Sequence, residues 1–355
     1  MSGVQQVTIG PEDADQRLDR WLRKRWPHLG QGRIEKMLRK GEFRLDGARA
    51  KASDRLTVGM TVRVPPIPED EGQLRDDGHR RAPQEPIAPR DAQMIRDAVI
   101  WRDDHVIALN KPPGLPSQGG TGQGRRHVAG LAEALRFERD DDPHLVHRLD
   151  RDTSGLLLLA RSATAARALA AAFQSRATKK LYWAVTAGVP SPRMGTIRWG
   201  LVKAPGHGAG GEGEKMRLVH PDEIAATEGA KRAVTDYAVI EAAGNRAAWV
   251  ALRPVTGRTH QLRAHMAALG TPVAGDGKYG GSGQTNEGEG WGAKLGGAVS
   301  GKLHLHARSL ELVHPVTGRP LRLTAPLPEH MARTWEMFGW RPEDAPDDPF
   351  ADPEG

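Results

Sequence analysis

Residues 147–160 read His-Arg-Leu-Asp-Arg-Asp-Thr-Ser-Gly-Leu-Leu-Leu-Leu-Ala, and this stretch decides how the chain is read. Five of the first nine side chains are ionisable, and an unbroken apolar run follows at once. Apolar residues without alternation predict a strand covered on both faces. A charged loop tied to such a strand must lie where water or a substrate meets the core. Catalytic groups are commonly placed this way, on a loop held by a rigid element. The other reading is a turn in which Asp and Thr side chains accept hydrogen bonds from backbone amides. The loop alone leaves both open.

Three further segments carry chemistry-bearing residues. Pro254-Val255-Thr256-Gly257-Arg258-Thr259 leads into a helical pattern with His260-Gln261-Leu262-Arg263-Ala264-His265. Its core stripe is Leu262, Met266 and Leu269, which puts Arg263 on another face. Lys179–Ala184 places Tyr182, one of three tyrosines, in a strand pattern. Asn110-Lys111-Pro112-Pro113-Gly114-Leu115 follows a strand at His105–Leu109. Taken singly, Tyr182 reads as a core aromatic, and His260 and His265 as hydrogen-bonded core histidines.

Around these segments the pattern predicts an α+β domain over 94–330, built on a mixed, mainly antiparallel sheet. Helices are expected near Thr164–Ser175 and Thr259–Leu269. A hairpin is expected where Leu310–Val313 and Leu321–Thr324 flank Pro315–Gly318. Residues 7–65 predict a separate small α+β module, with helices over Arg17–Lys24 and Gly32–Lys40 and Gly41 in the C-terminal cap position. Six prolines between Pro65 and Pro89 predict a linker over 66–93. Gly-rich stretches at 204–214 and 280–301 are expected to be surface loops, and the acidic tail 341–355 to be disordered.

Composition narrows the chemistry. The 355 residues contain no cysteine, which excludes disulfides, thiolate nucleophiles and Cys-held metal. Catalysis must then rest on carboxylate, His, hydroxyl, Lys or Arg chemistry. The net charge of +7 is unevenly spread: +6 on residues 1–66, +6 on 67–340 and −5 on 341–355. A basic module beside a mildly basic body suggests a polyanionic partner. In the module, Arg17, Arg20, Arg33, Lys36, Arg39 and Lys40 fall off the apolar stripes, where they can meet phosphates or simply solvate the surface. No apolar run approaches the roughly 20 residues that cross a bilayer, and the N-terminus has no signal-peptide pattern. A cytoplasmic protein without a membrane partner is expected.

Together the segments resemble the RluA family of pseudouridine synthases. HRLDRDTSGLLLLA (147–160) matches its signature, with NKPPGLPSQGG (110–120), KKLYWAVTAG (179–188), VTGRTHQLRAHMAALGTPVAGDGKYG (255–280) and KLHLHARSLELVHP (302–315) in the family's order. Ser117-Gln118 departs from the family's frequent Val-His. RLDRWL (17–22), RIEKMLRKGEFRLDG (33–47) and Met60–Val64 resemble the RNA-binding domain named after ribosomal small-subunit protein four, with Gly32 where that domain usually has Ser.

The resemblance implies an isomerase that detaches uracil from ribose, turns it and rejoins it through carbon. It implies Asp150 as nucleophile, attacking the anomeric carbon or the base, and Arg263 as the arginine facing it. An adjacent cation favours the ionised form of a buried carboxylate, so Arg263→Ala is expected to leave the fold intact and lower turnover sharply. Tyr182 corresponds to the tyrosine that stacks on the base, and Arg148 to the arginine that fills the space left when the nucleotide flips out. Leu262 reads as a pocket wall or a plain core leucine, and Asp152 as support for the turn. No cofactor is expected. The implied substrate is large-subunit (23S) ribosomal RNA, free or in the assembling particle, with C-type specificity favoured over D-type and a monomer expected. Transfer RNA, or a non-catalytic role in RNA binding or ribosome assembly, is the alternative.

Two G-x-G-x-x-G matches, Gly206–Gly211 and Gly275–Gly280, lack the strand-turn-helix context and downstream acid of a dinucleotide site. There is no P-loop. His304 and His306 alternate along a strand, and no His/carboxylate set has a recognised zinc spacing, so no metal is expected.

Overall fold

The computed structural model describes residues 4–26, 29–67, 86–119, 124–175, 177–204, 215–280, 291–295 and 297–351. The chain divides into two units, 1–84 and 85–355.

In the first unit, β1 (Gln5–Thr8), β2 (Arg44–Leu45), β3 (Ala48–Arg49) and β4 (Thr61–Val64) form a sheet of order β1-β4-β2-β3. Helices α1 (Leu18–Arg25) and α2 (Gln31–Lys40) pack with it through one apolar face. Leu18, Trp21 and Leu22 recur at i, i+3 and i+4, and all three are buried with Ile34, Leu38, Phe43 and Val62. Gly41 adopts φ +72 and donates from its N–H to Leu38, while the Glu42 N–H reaches Met37, so a left-handed residue stops α2. The module starts earlier than residue 7, because β1 pairs residues 5–8 with 61–64.

The second unit is α+β. In chain order it contains α3 (Pro89–Asp97), β5 (Val99–Arg102), β6 (Val106–Lys111), α4 (Val128–Leu131), β7 (His144–Leu145), β8 (Ser154–Ala160), α5 (Ala163–Gln174), β9 (Lys179–Ala187) and β10 (Met194–Ile197). There follow β11 (Gly200–Lys203), β12 (Met216–Val219), β13 (Lys231–Arg232), β14 (Thr235–Ala243), β15 (Ala247–Pro254), α6 (Gln261–Ala268) and α7 (Trp291–Lys294). The last elements are β16 (Leu305–Val313), β17 (Pro320–Thr324) and α8 (Glu329–Phe338). Ten strands form one sheet, ordered β10-β14-β15-β9-β16-β8-β6-β5, with β17 added to β16 and β7 to β8. β11, β12 and β13 make a separate three-stranded sheet.

Every residue of β8 is buried, as its unbroken apolar run requires. Its neighbour β16 runs parallel to it, pairing His306 with Ser154 and Ala307 with Gly155; the other described pairings are antiparallel. Gly155 permits this seam. It sits at φ +106, and a Cβ there would lie 2.3 Å from the Ala307 carbonyl oxygen. On another part of the sheet, Trp183, Trp249, Trp335 and Trp340 form an aromatic cluster that seats α8.

Three expectations need correction. The linker stops short of 93: Pro89–Asp97 is helical, Ile95 is buried, and Asp91 pairs with Arg126. Residues 68–85 lie outside the described residues, as do 205–214, 281–290 and 296 of the Gly-rich stretches. The body continues past 330, since Met331 and Trp335 of α8 are core residues. The tail is not disordered over 341–351. Trp340 and Ala345 join the tryptophan cluster, Asp344 pairs with Arg341, and the Phe350 ring lies 4.2 Å from the Arg253 guanidinium. These apolar anchors outweigh the polar composition. Residues 352–355 lie outside the described residues.

Candidate active site

The loop 148–153 is built before it is functional. His147 accepts from the Leu158 N–H at 2.9 Å and stacks on Phe173 at 4.0 Å, so it anchors the loop to β8 and α5. Ser117 Oγ donates to the Leu149 carbonyl at 2.7 Å and accepts from the Leu149 N–H at 3.0 Å. Beneath the loop, the fully buried Lys111 Nζ donates to the carbonyls of Pro112, Leu115 and Arg151 at 2.8–2.9 Å. Burial lowers Lys111 to about 7 against the pull of Asp152 and Asp150. Three acceptors nevertheless require three N–H groups, which only the ammonium carries, so the hydrogen-bond set favours the charged form. The loop that carries Asp150 is thereby fixed at Leu149 and Arg151, the residues on either side of it.

Asp150, Tyr182, Arg263 and Arg148 all line one cavity of about 750 Å³, the size of a nucleotide site. Asp150 comes from the loop ahead of β8, Tyr182 from β9 and Arg263 from α6. Arg263 Nη1 lies 3.7 Å from Asp150 Oδ2. Tyr182 is held protonated by burial and by the neighbouring Asp150, both of which raise its pKa. Arg148 is exposed at the rim, with Nη1 3.4 Å from Gln118 Oε1. Leu262 satisfies both readings, lining the cavity while packing with Leu252, Met266 and Leu305. Asp152 holds the Arg151 guanidinium at 3.2 Å, so its carboxylate serves a neighbouring side chain, while Lys111 and Ser117 support the turn.

Arg263 is more deeply committed than its stripe suggested. α6 is buried all round, and Arg263 is only 5% exposed. Its Nε and Nη2 donate to the two oxygens of Asp276, both at 2.7 Å, and Asp276 is 1% exposed. Burial works against the Arg263 charge, but hydrogen bonds and charge from Asp276, then Asp150, more than restore it and raise its pKa. A buried carboxylate deprived of its partner is costly, so Arg263→Ala cannot leave the fold undisturbed as the sequence suggested.

Asp276 falls within the 255–280 motif, yet the sequence alone assigns it no part. The signal is there: an arginine on an all-buried helix needs a counter-ion, and Asp276 is the acid that follows α6 most closely. Gln261 is a second residue that sequence reasoning missed. It ties the 254–259 loop to β14, accepting from Thr256 Oγ1 and the Arg258 N–H and donating to the Val234 carbonyl and Thr235 Oγ1. His265 bonds Thr235 Oγ1 as a core histidine.

His304 bonds Thr334 and Lys302, and His306 bonds Ser154 and Ala325. Among the described residues no His/Asp/Glu group could hold a metal ion, and no helix is long and apolar enough to cross a membrane. In the first unit, Arg17, Arg20, Arg33, Lys36, Arg39 and Lys40 are all exposed, with Arg17 paired to Asp19 at 2.7 Å and Lys40 3.8 Å from Glu42.

A mixed sheet whose central strands bring a loop aspartate and a tyrosine into one nucleotide-sized cavity with a buried arginine from a helix is the architecture of a pseudouridine synthase. Residues 105–268 match the family described as RNA pseudouridylate synthase. The ribosomal large subunit pseudouridine synthase C of Vibrio vulnificus (strain CMCP6) is 33% identical over 332 residues, covering 93% of this chain and 95% of that protein. The protein of the same name from Escherichia coli (strain K12) is 32% identical over 334 residues, covering 93% and 95%. The solved structure of human RNA Pseudouridylate Synthase Domain Containing 4 superposes with a TM-score of 0.56 at 30% identity, over 70% of this chain and 95% of that one. The chain belongs to the RNA pseudouridine synthases of the RluA family, which are isomerases.

Proposed function

We propose that the chain isomerises uridines of large-subunit ribosomal RNA, with Asp150 as the nucleophile. The observation that carries this reading is the placement of the Asp150 carboxylate in the cavity beside Arg263 and Tyr182. The substrate class rests on relatives named for the large ribosomal subunit that cover 93% of the chain. The same names favour C-type specificity.

A carboxylate can hold one fragment covalently while the base turns, and no redox partner or metal enters the balance of an isomerisation. Arg263 supplies the counter-charge. Tyr182 provides a protonated phenol and a ring for the base. Arg148 at the rim takes the place of the flipped nucleotide, offsetting an unstacking cost of a few kcal/mol. The exposed cations of α1 and α2 bind RNA phosphates, as in the ribosomal small-subunit protein four type of domain. The protein acts as a cytoplasmic monomer without a cofactor.

Tritium release from uridine-labelled ribosomal RNA tests the chemistry. Wild type releases tritium and Asp150→Ala does not; equal release by the two removes the nucleophile. Pseudouridine mapping of ribosomal RNA from a deletion strain tests the substrate, and a complete set of large-subunit pseudouridines there would refute it.

A further inference from the structure

Among the described residues that line the cavity, His260 is the one non-glycine residue with a left-handed backbone. It caps α6 at φ +52, ψ +21, in the left-handed region that glycine and asparagine occupy far more readily than other residues. Such outliers persist only where the surroundings enforce them, and they cluster at functional sites. Its side chain makes no cap bond to the helix; it turns into the cavity instead.

The proton on its ring is placed by two other groups. Tyr279 Oη accepts from the Met216 N–H at 2.9 Å, so its own hydrogen is available for His260 Nδ1, 3.1 Å away. This arrangement favours Nδ1 as the acceptor, which puts the hydrogen of the neutral ring on Nε2. Nε2 lies 3.9 Å from Asp150 Oδ2, the same oxygen that Arg263 Nη1 approaches at 3.7 Å. Burial lowers the pKa of His260 and Arg263 and Lys278 oppose its protonation, against the opposing pull of Asp150 and Asp276. A neutral N–H donor and a guanidinium therefore converge on one oxygen of the carboxylate.

We propose that His260 is a positioning residue for Asp150: its Nε2, 3.9 Å from Oδ2 in the free protein, closes to hydrogen-bond distance when the target nucleotide is bound and holds Oδ2 so that the other oxygen is presented to that nucleotide. This rests on Asp150 being the nucleophile. It explains why a strained histidine stands where glycine would fit without cost. Because the donor acts through the carboxylate, its removal lowers kcat and leaves RNA binding alone.

Three substitutions in the full-length chain test this, each assayed by tritium release for kcat and KM, with Asp150→Ala in parallel. His260→Phe keeps a ring but no donor. His260→Gly relieves the left-handed strain and removes the side chain. His260→Gln keeps an N–H at the end of a chain of similar reach. Without the hydrogen bond that forms to the charged carboxylate in the complex, Phe and Gly lower kcat about 10- to 100-fold. KM stays near the wild-type value, and Gln recovers most of the loss. Wild-type kcat in either Phe or Gly, or a change confined to KM, overturns the proposal. If His260→Phe does not fold, His260→Gly decides the matter alone. An active Asp150→Ala would instead show that the nucleophile is misassigned, an outcome separate from the failure of His260.

Discussion

The pair Arg263–Asp276 makes a prediction that separates folding from catalysis. Arg263→Met removes the charge and keeps most of the side-chain length. Asp276 then remains almost fully buried, facing an apolar group where two 2.7 Å hydrogen bonds had been. Breaking a buried ion pair from one side costs about 3–5 kcal/mol. For a unit of this size that lowers Tm by roughly 6–20 °C, at about 2–4 °C per kcal/mol. Asp276 has a second duty, because Oδ1 also accepts from the amides of Lys278 and Tyr279. The partner change is therefore Asp276→Asn, which keeps an oxygen for those amides and removes the buried charge. The double variant is expected to be more stable than Arg263→Met by about 1–3 kcal/mol. Activity stays lost in both, since neither restores a cation beside Asp150. Thermal unfolding by circular dichroism gives the stabilities and tritium release the activities. A wild-type melting curve for Arg263→Met, or a double variant no more stable than the single, would refute the argument.

Three other outcomes are expected. His304, with a pKa of about 3, and His306 and His265, at about 4, are held neutral by burial, below their ordinary 6.5. The unfolded chain then binds the extra protons, so stability is full above pH 6.5 and declines as pH falls toward 4, by at most about 1.4 kcal/mol per pH unit for each group; a urea midpoint unchanged between pH 7 and 5 would contradict this. Gly155→Ala forces a Cβ against the Ala307 carbonyl at positive φ and should cost about 4 kcal/mol or more, seen as a lost soluble yield or a sharply lowered Tm. Deleting residues 1–66 should weaken RNA binding and flatten its salt dependence by roughly 0.7 log units for each single-strand phosphate no longer neutralised; an unchanged slope would assign those charges to solvation alone.

What could be read from the sequence was what short range determines. The run Leu156–Ala160 announced a doubly covered strand, the turn after His314 a hairpin, and Gly41 the end of a helix. Asp150, Tyr182 and Arg263 were legible as a set through their motifs. Their convergence depends on pairings between strands far apart in sequence. Asp276 escaped because a counter-ion's necessity appears only once Arg263 is known to be buried. β1 escaped because Gln5–Thr8 is too polar to look like a strand. The tail misled because proline and aspartate dominate its composition, while Ala345 packs on the cluster that ends at Trp340 and Phe350 lies on Arg253. His260 was legible only as a hydrogen-bonded core histidine, since a left-handed backbone leaves no trace in the identity of a histidine.

The position of β16 governs when the enzyme can exist. The strand preceded by the Asp150 loop and the strand that carries Tyr182 do not touch; β16 lies between them and pairs with both. Among the described residues it is the penultimate strand. A nascent polypeptide that has already exposed Asp150, Tyr182, Arg263 and Asp276 still lacks the strand that brings the first two together. Assembly of the site must wait until residue 313 has cleared the ribosome, and the joining contacts span about 150 residues to β8 and about 120–130 to β9, separations that slow folding. Chains cut before β16 therefore carry the site's side chains without the strand that joins β8 to β9.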